Sequence, residues 1–159
     1  MTLKKTNAAR FLDTLHLPYE MSSYTVDEDD LSAVHAAASL GVDPACVFKT
    51  LVARDEDKHI LVACIPAAKE IDLKAFARVA NVKRCELVAV KELLGLTGYI
   101  RGGCSPLAMK KQYPTFLDAS IKEHAKVYVS AGLRGVQLCL SPEVLIQATK
   151  ASCENIIKP

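Results

Sequence analysis

Three short stretches hold the residue types that do chemistry. Lys49 stands in Val47-Phe48-Lys49-Thr50-Leu51-Val52. Strand alternation puts it on one face with Val47 and Leu51. A lysine among apolar neighbours loses hydration, and its ammonium is then a strong fixed charge for a phosphate or a carbonyl oxygen. A lysine that guards a sheet edge or reaches out to water fits the same spacing. The second stretch is Gly102-Gly103-Cys104-Ser105-Pro106. Two adjacent glycines allow positive φ and close backbone approach, so their amides can converge on an oxyanion or a phosphate. A plain tight turn uses the same residues. Cys104 and Ser105 are nucleophile types, but no base accompanies them in sequence. Lys110-Lys111 follows, suited to a phosphate backbone or to a solvated helix face. The third stretch centres on Ser130, a hydroxyl at a strand end that orients a substrate or bonds the turn after it. Tyr24 fits either a substrate contact or an ordinary half-buried aromatic.

Familiar catalytic and metal motifs are missing. There is no Cys-x-x-Cys, and His16, His35, His59 and His124 are scattered, which disfavours a structural zinc site. No Walker loop, Gly-x-Gly-x-x-Gly or Gly-x-Ser-x-Gly elbow occurs. An enzyme built on this chain is expected to lack the usual nucleophile and base pair, and no metal or cofactor is expected.

The elements that must position these residues follow from pattern. Ala8, Phe11, Leu12 and Leu15 have helical spacing with Thr6 as N-cap, and Pro18 ends that helix. Tyr19 to Tyr24 reads as a strand. The acidic run Asp27 to Asp30 precedes a helix over Leu31 to Leu40, capped by Gly41. Cys46 to Ala53 and His59 to Ile65 form a hairpin closed by Pro66. Asp72 caps a helix with Leu73, Phe76, Ala77 and Ala80. Arg84 to Ala89 is a short strand and Val90 to Leu94 a helical turn. Thr97 to Arg101 reads as a strand running into the glycine loop, and Thr115 to Leu117 as another. Val127 to Ser130 and Gly135 to Leu140 make a second hairpin about Ala131-Gly132-Leu133-Arg134. Ser141 caps a last helix with Pro142 at its first position. From Ala151 onward a frayed tail is expected. Hairpins interleaved with helices imply an α/β (α+β) fold with a mixed, largely antiparallel, curved or partly closed sheet.

The 159 residues fit one domain, 1–159, and half of them are hydrophobic, so a sizeable core is available. The net charge of +2 is too small to mark a nucleic-acid protein by itself. The six cysteines (Cys46, Cys64, Cys85, Cys104, Cys139 and Cys153) are far apart, most of them in apolar runs. Met1 to Lys5 leads into a polar helix start and not an apolar signal segment. Reduced thiols in the cytoplasm are therefore expected, with no membrane span.

Taken in order, Val47-Phe48-Lys49-Thr50-Leu51, Thr97 to Leu107 with its Gly-Gly-Cys-Ser-Pro loop, Lys110-Lys111, Tyr128-Val129-Ser130 and Arg134-Gly135 resemble the YbaK family of aminoacyl-tRNA deacylases, related to the editing insertion of bacterial prolyl-tRNA synthetases. The resemblance runs from the first helix to the last. It implies a compact α/β domain around a mixed, barrel-like sheet, and a free-standing proofreading factor that clears cysteine from proline tRNA. It places the family's essential lysine on Lys49, its glycine loop on Gly102 and Gly103, its serine on Ser130 and its tyrosine on Tyr24. Thr50, Ser105, Pro106 and Gln137 then fall on the substrate side, and Lys110, Lys111 and Arg134 toward tRNA. Two positions depart: Gln137 stands where the family often has aspartate, and Ala131-Gly132 where it has Gly-Gly. Gln137 still hydrogen-bonds but holds no negative charge.

In the implied chemistry the substrate's own thiol attacks its ester carbonyl, so the protein needs only to orient the ester and stabilise an oxyanion. The product is free cysteine, or a cyclic thiolactone if the reaction is a lyase reaction. The implied partners are the acceptor end of tRNA(Pro) and prolyl-tRNA synthetase, with no DNA and no membrane. Action on Cys-tRNA(Cys) as well belongs to this reading; rival readings are a non-catalytic aminoacyl-tRNA or nucleotide-binding module, a deacylase for another small amino acid such as alanine, and a thiol hydrolase using Cys104.

Overall fold

In the computed structural model, which describes residues 3–159, four of the five α-helices begin where the sequence supplies a capping side chain. Thr6, Ser32, Asp72 and Ser141 each accept a hydrogen bond from a first-turn amide of α1 (Asn7–Thr14), α2 (Ala33–Leu40), α3 (Leu73–Val79) and α5 (Pro142–Thr149). Such a cap contributes about 1 kcal/mol. α2 starts two residues later than Leu31, because the Asp30 carboxylate takes the Ser32 amide at 3.1 Å and the acidic run becomes a turn.

Eight strands form two sheets. The first has three strands, β1 (Glu20–Ser23), β7 (Val136–Leu140) and β6 (Val127–Leu133), in that order and all antiparallel. The second has the order β4-β2-β3-β5-β8, with β2 (Phe48–Asp55), β3 (Ile60–Pro66), β4 (Cys85–Leu87), β5 (Thr115–Asp118) and β8 (Ser152–Glu154). β2 pairs antiparallel with β3 and β4, while β3–β5 and β5–β8 are parallel. The mixed, mostly antiparallel character matches expectation. The barrel-like closure does not: an isolated bridge between Val47 and Tyr128 is what links the two sheets.

Period-two patterning on the three-stranded sheet decides where the cavity lies. Met21, Leu138 and Val129 stand side by side on one face, and Val127 and Leu140 join them. That face packs on Ala8, Ala9 and Leu12 of α1, and on Val144, Leu145 and Ala148 of α5. The other face carries the row Ser22, Gln137 and Ser130. On the five-stranded sheet, Phe48, Cys64 and Leu117 join the same central core. Ala53, Leu61, Ala63 and Ile65 face a second cluster with Phe76 of α3 and Ile156.

Three segments differ from expectation. Thr97 to Arg101 is not a strand. Thr97 ends α4 (Leu93–Thr97), and its hydroxyl donates to the Leu93 carbonyl at 2.8 Å and accepts the Tyr99 amide at 3.0 Å. Those local bonds take the place of a ladder. The second hairpin turns at Arg134-Gly135, and Ala131-Gly132 form an irregularity in β6 where the register shifts between Ser130 and Leu133. The Gly132 amide donates to the Ser130 hydroxyl at 3.1 Å, which holds that bulge. The segment after Ala151 is an ordered edge strand, β8, not a tail. The buried Asp118 carboxylate accepts the Ile156 amide at 3.1 Å, the Asp72 amide donates to the Ile156 carbonyl at 2.8 Å, and Ile156 is fully buried.

No helix among the described residues is long and apolar enough to cross a membrane. All six cysteines are free thiols; Cys64 and Cys139 are buried.

Candidate active site

The N-terminal end of β2 lies at the seam between the sheets. Val47, fully buried against Ala37 of α2 and Ala67, fixes this end of the strand. Lys49 then projects from the seam, half-buried, with no ion-pair partner among the described residues. Burial lowers its pKa from the usual 10.5, against a smaller opposing pull from the Glu70 carboxylate. The Thr50 hydroxyl lies 3.7 Å from the buried Cys64 sulfur.

The facing wall is the polar side of the three-stranded sheet. Ser130 and Gln137 are cross-strand partners, so their side chains stand side by side. Tyr24 follows β1, held by its amide bond to the Gly135 carbonyl at 2.9 Å. Gln137 is 6% exposed, and its Oε1 is a buried side-chain atom without a hydrogen-bond partner among the described residues.

The glycine loop closes a third side. The Gly103 amide donates to the Ile100 carbonyl at 2.9 Å, so it is committed to the turn. The Gly102 and Cys104 amides have no hydrogen bond to the described residues, and both residues line the cavity. Gly102 has φ +84°, and a Cβ there would sit 3.2 Å from Leu31 Cβ and 3.4 Å from Arg134 Nε. The loop backbone therefore packs directly onto the segment entering α2. Arg134 ties the loop down, its Nε donating to the Arg101 carbonyl at 2.8 Å and its guanidinium pairing with Glu28 at 3.2 Å.

These walls enclose a cavity of about 310 Å³. Tyr24, Lys49, Thr50, Gly102, Ser130 and Gln137, all candidate site residues, line it. Leu31, Ser32, Ala33 and Ala36 at the start of α2, with Arg101 and Cys104, add to the lining, and Val47, Phe48, Leu51 and Ala67 form its apolar part. No carboxylate and no histidine lies in it. Burial pushes the Cys104 thiol up to about 11, so it is protonated at neutral pH and poorly suited to nucleophilic attack.

The remaining predicted site residues lie elsewhere. Ser105 is fully buried outside the cavity, and its hydroxyl accepts the Leu107 amide at 3.2 Å, which makes it a turn former. Pro106 is buried on the side of Leu107 and Phe11. Gly103 does not line the cavity; a Cβ on it would meet the Arg134 amide at 3.1 Å. Arg134 is an internal clamp. Lys110 and Lys111 are exposed and stand outside the cavity. The start of α2 is a wall that no motif in the sequence marks. Its sequence signal is Leu31, an apolar residue between an acidic run and a cap. No cluster of three or more metal-ligating side chains occurs among the described residues.

Residues 27–148 match the family model of the aminoacyl-tRNA editing domain. The chain belongs to the aminoacyl-tRNA editing domain family, in agreement with the YbaK resemblance. It is 41% identical over 98% of its length, and 94% of the relative's, to EbsC of Enterococcus faecalis, named as a candidate Cys-tRNA(Pro)/Cys-tRNA(Cys) deacylase. YwhH of Bacillus subtilis is 27% identical over 80% of this chain and 76% of its own. The same fold recurs in the crystal structure of the hypothetical protein APE2540 at 25% identity, with a TM-score of 0.85 over 94% of this chain and 97% of that one. It recurs also in a structure described as a candidate trans-editing enzyme for prolyl-tRNA synthetase, 20% identical, with a TM-score of 0.81 over 98% of this chain and all of that one.

Proposed function

We propose that this chain is a trans-editing deacylase that removes cysteine from tRNA(Pro), with Cys-tRNA(Cys) as a second substrate, as the name of its Enterococcus relative suggests. One observation carries the reading: a cavity sized for an aminoacyl end holds an unpaired half-buried lysine and unclaimed amides, yet neither an ionised thiol, a histidine nor a carboxylate. Such a site lacks its own nucleophile and base, and suits a substrate that brings the nucleophile.

The cysteinyl sulfur attacks the carbonyl carbon of its own ester. The new C–S bond closes a thiolactone, the ester C–O bond breaks, and the departing ribose oxygen takes the thiol proton. The Gly102 and Cys104 amides face the oxyanion, and Lys49 holds the terminal phosphate or polarises the ester. A preorganised donor of this kind is worth about 10²–10³ in rate. The Ser130 hydroxyl and the Tyr24 ring position the ribose and base, in keeping with how single-stranded RNA ends are read. The cavity takes only the acceptor end, so tRNA choice falls to a partner. We assign that task to prolyl-tRNA synthetase, and the site of action to the cytoplasm, where charged tRNA is found.

The test is deacylation of Cys-tRNA(Pro), Cys-tRNA(Cys) and Ala-tRNA(Pro) by the wild type and Lys49→Ala. Cysteine-specific turnover that disappears in Lys49→Ala supports the mechanism. Equal loss of alanine and cysteine removes the thiol-attack step, and undiminished activity in the variant removes Lys49. Adding prolyl-tRNA synthetase is expected to lower the KM for Cys-tRNA(Pro) alone.

A further inference from the structure

Gln137 is the anomaly that fold and mechanism leave unexplained. It sits in the central strand of the three-stranded sheet, between Ser22 and Ser130, with 6% of its surface exposed. Neither neighbour answers its amide. The Ser130 hydroxyl accepts the Gly132 amide, and no hydrogen bond joins Ser22 to Gln137. A buried amide oxygen without a donor destabilises the fold. An apolar side chain of the same length would avoid that penalty, as the opposite face of the same strand does with Leu138. The residue lines the cavity, so a donor can reach it from the ligand side. The cavity lining contains no carboxylate; its charged side chains are Lys49, half-buried, and Arg101, exposed.

We infer that Gln137 is a specificity-determining residue whose Oε1 accepts a hydrogen bond from a donor on the aminoacyl group itself, either its α-amine or its thiol. This rests on the deacylase reading of the same cavity but is tested without turnover.

The probes are the non-hydrolysable amides 3′-cysteinylamino- and 3′-alanylamino-3′-deoxyadenosine, measured by equilibrium binding to the wild type, Gln137→Met and Gln137→Glu. Gln137→Met is expected to raise the thermal midpoint by about 2–10 °C while weakening cysteinyl-amide binding about 10- to 100-fold, the effect of losing one well-met buried hydrogen bond. Gln137→Glu keeps an acceptor and is expected to bind within a few-fold of the wild type. Weakening of both amides by Gln137→Met assigns the donor to the α-amine; weakening of the cysteinyl amide alone assigns it to the thiol. A lower thermal midpoint in Gln137→Met makes the residue structural and overturns the inference. So does unchanged binding, which marks a side chain met by solvent. Loss in Gln137→Glu equal to that in Gln137→Met shows that the amide nitrogen is what matters, and also overturns it. If the wild type binds both amides but never deacylates Cys-tRNA, the proposed function fails while this assignment stands.

Discussion

Gly132→Ala tests how the bulge in β6 holds the catalytic wall. Gly132 has φ +96°, and a Cβ there would lie 2.7 Å from Tyr99 Cε1. Tyr99 cannot easily move aside, because its hydroxyl donates to the Leu107 carbonyl at 2.6 Å and the ring is 9% exposed. Left-handed backbone on a residue with a Cβ costs about 1–2 kcal/mol. Forcing a methyl into a packed site costs a further 1–3 kcal/mol or about that. A total of about 2–5 kcal/mol corresponds to a drop of about 4–20 °C in thermal midpoint for a chain of this size. Thermal unfolding followed by circular dichroism measures it. The steric part is isolated by combining Gly132→Ala with Tyr99→Leu, which opens space under the new methyl. The pair is expected to be less destabilised than the sum of the singles by about 1 kcal/mol or more. A Gly132→Ala protein that melts within 2 °C of the wild type, on the same scale of about 2–4 °C per kcal/mol, would refute the reasoning.

Three more expectations follow. Burial lowers the Lys49 pKa, so the unfolded chain binds the extra proton between the folded value and the ordinary 10.5. Stability is therefore expected to rise as pH climbs through that window, and Lys49→Met is expected to be the more stable protein at pH 7, with the gap closing above it; urea titrations across pH check the sign. Asp118→Ala removes the acceptor of the Ile156 and Ser120 amides, and is expected to cost about 1.5–3 kcal/mol and to speed amide exchange in residues 152–157 selectively. Arg134→Ala is expected to weaken activity on a cysteinyl trinucleotide as much as on whole tRNA, because the side chain clamps the Arg101 carbonyl; a defect confined to whole tRNA would restore it as an RNA contact.

Local chemistry is the part of the fold that the sequence makes legible. The caps at Thr6, Ser32, Asp72 and Ser141 act within three residues, and so do the turn signals that bound β2 and β3. The errors arise where a distant partner decides. Ser152 to Glu154 has no strong strand pattern and becomes a strand because the edge of β5 is open to it and Asp118 reaches the Ile156 amide. Thr97 to Arg101 has the composition of a strand, but the Thr97 hydroxyl closes a turn first. The candidate site divides in the same way. Lys49, Gly102, Tyr24, Ser130 and Gln137 line one cavity. Ser105 and Arg134 carry equally suggestive side chains, and only the geometry shows them holding the loop.

The single bridge between Val47 and Tyr128 gives the two sheets separate histories of change. One wall, on β2, carries the half-buried charge; the other, on β7 and β6, carries the neutral pair Gln137 and Ser130. Few backbone bonds cross the seam, so a substitution at Gln137 or Ser130 reshapes one wall while the strand that carries Lys49 keeps its own ladder with β3. An architecture of this kind lets the neutral wall of the site change one residue at a time while the charged wall stays as it is.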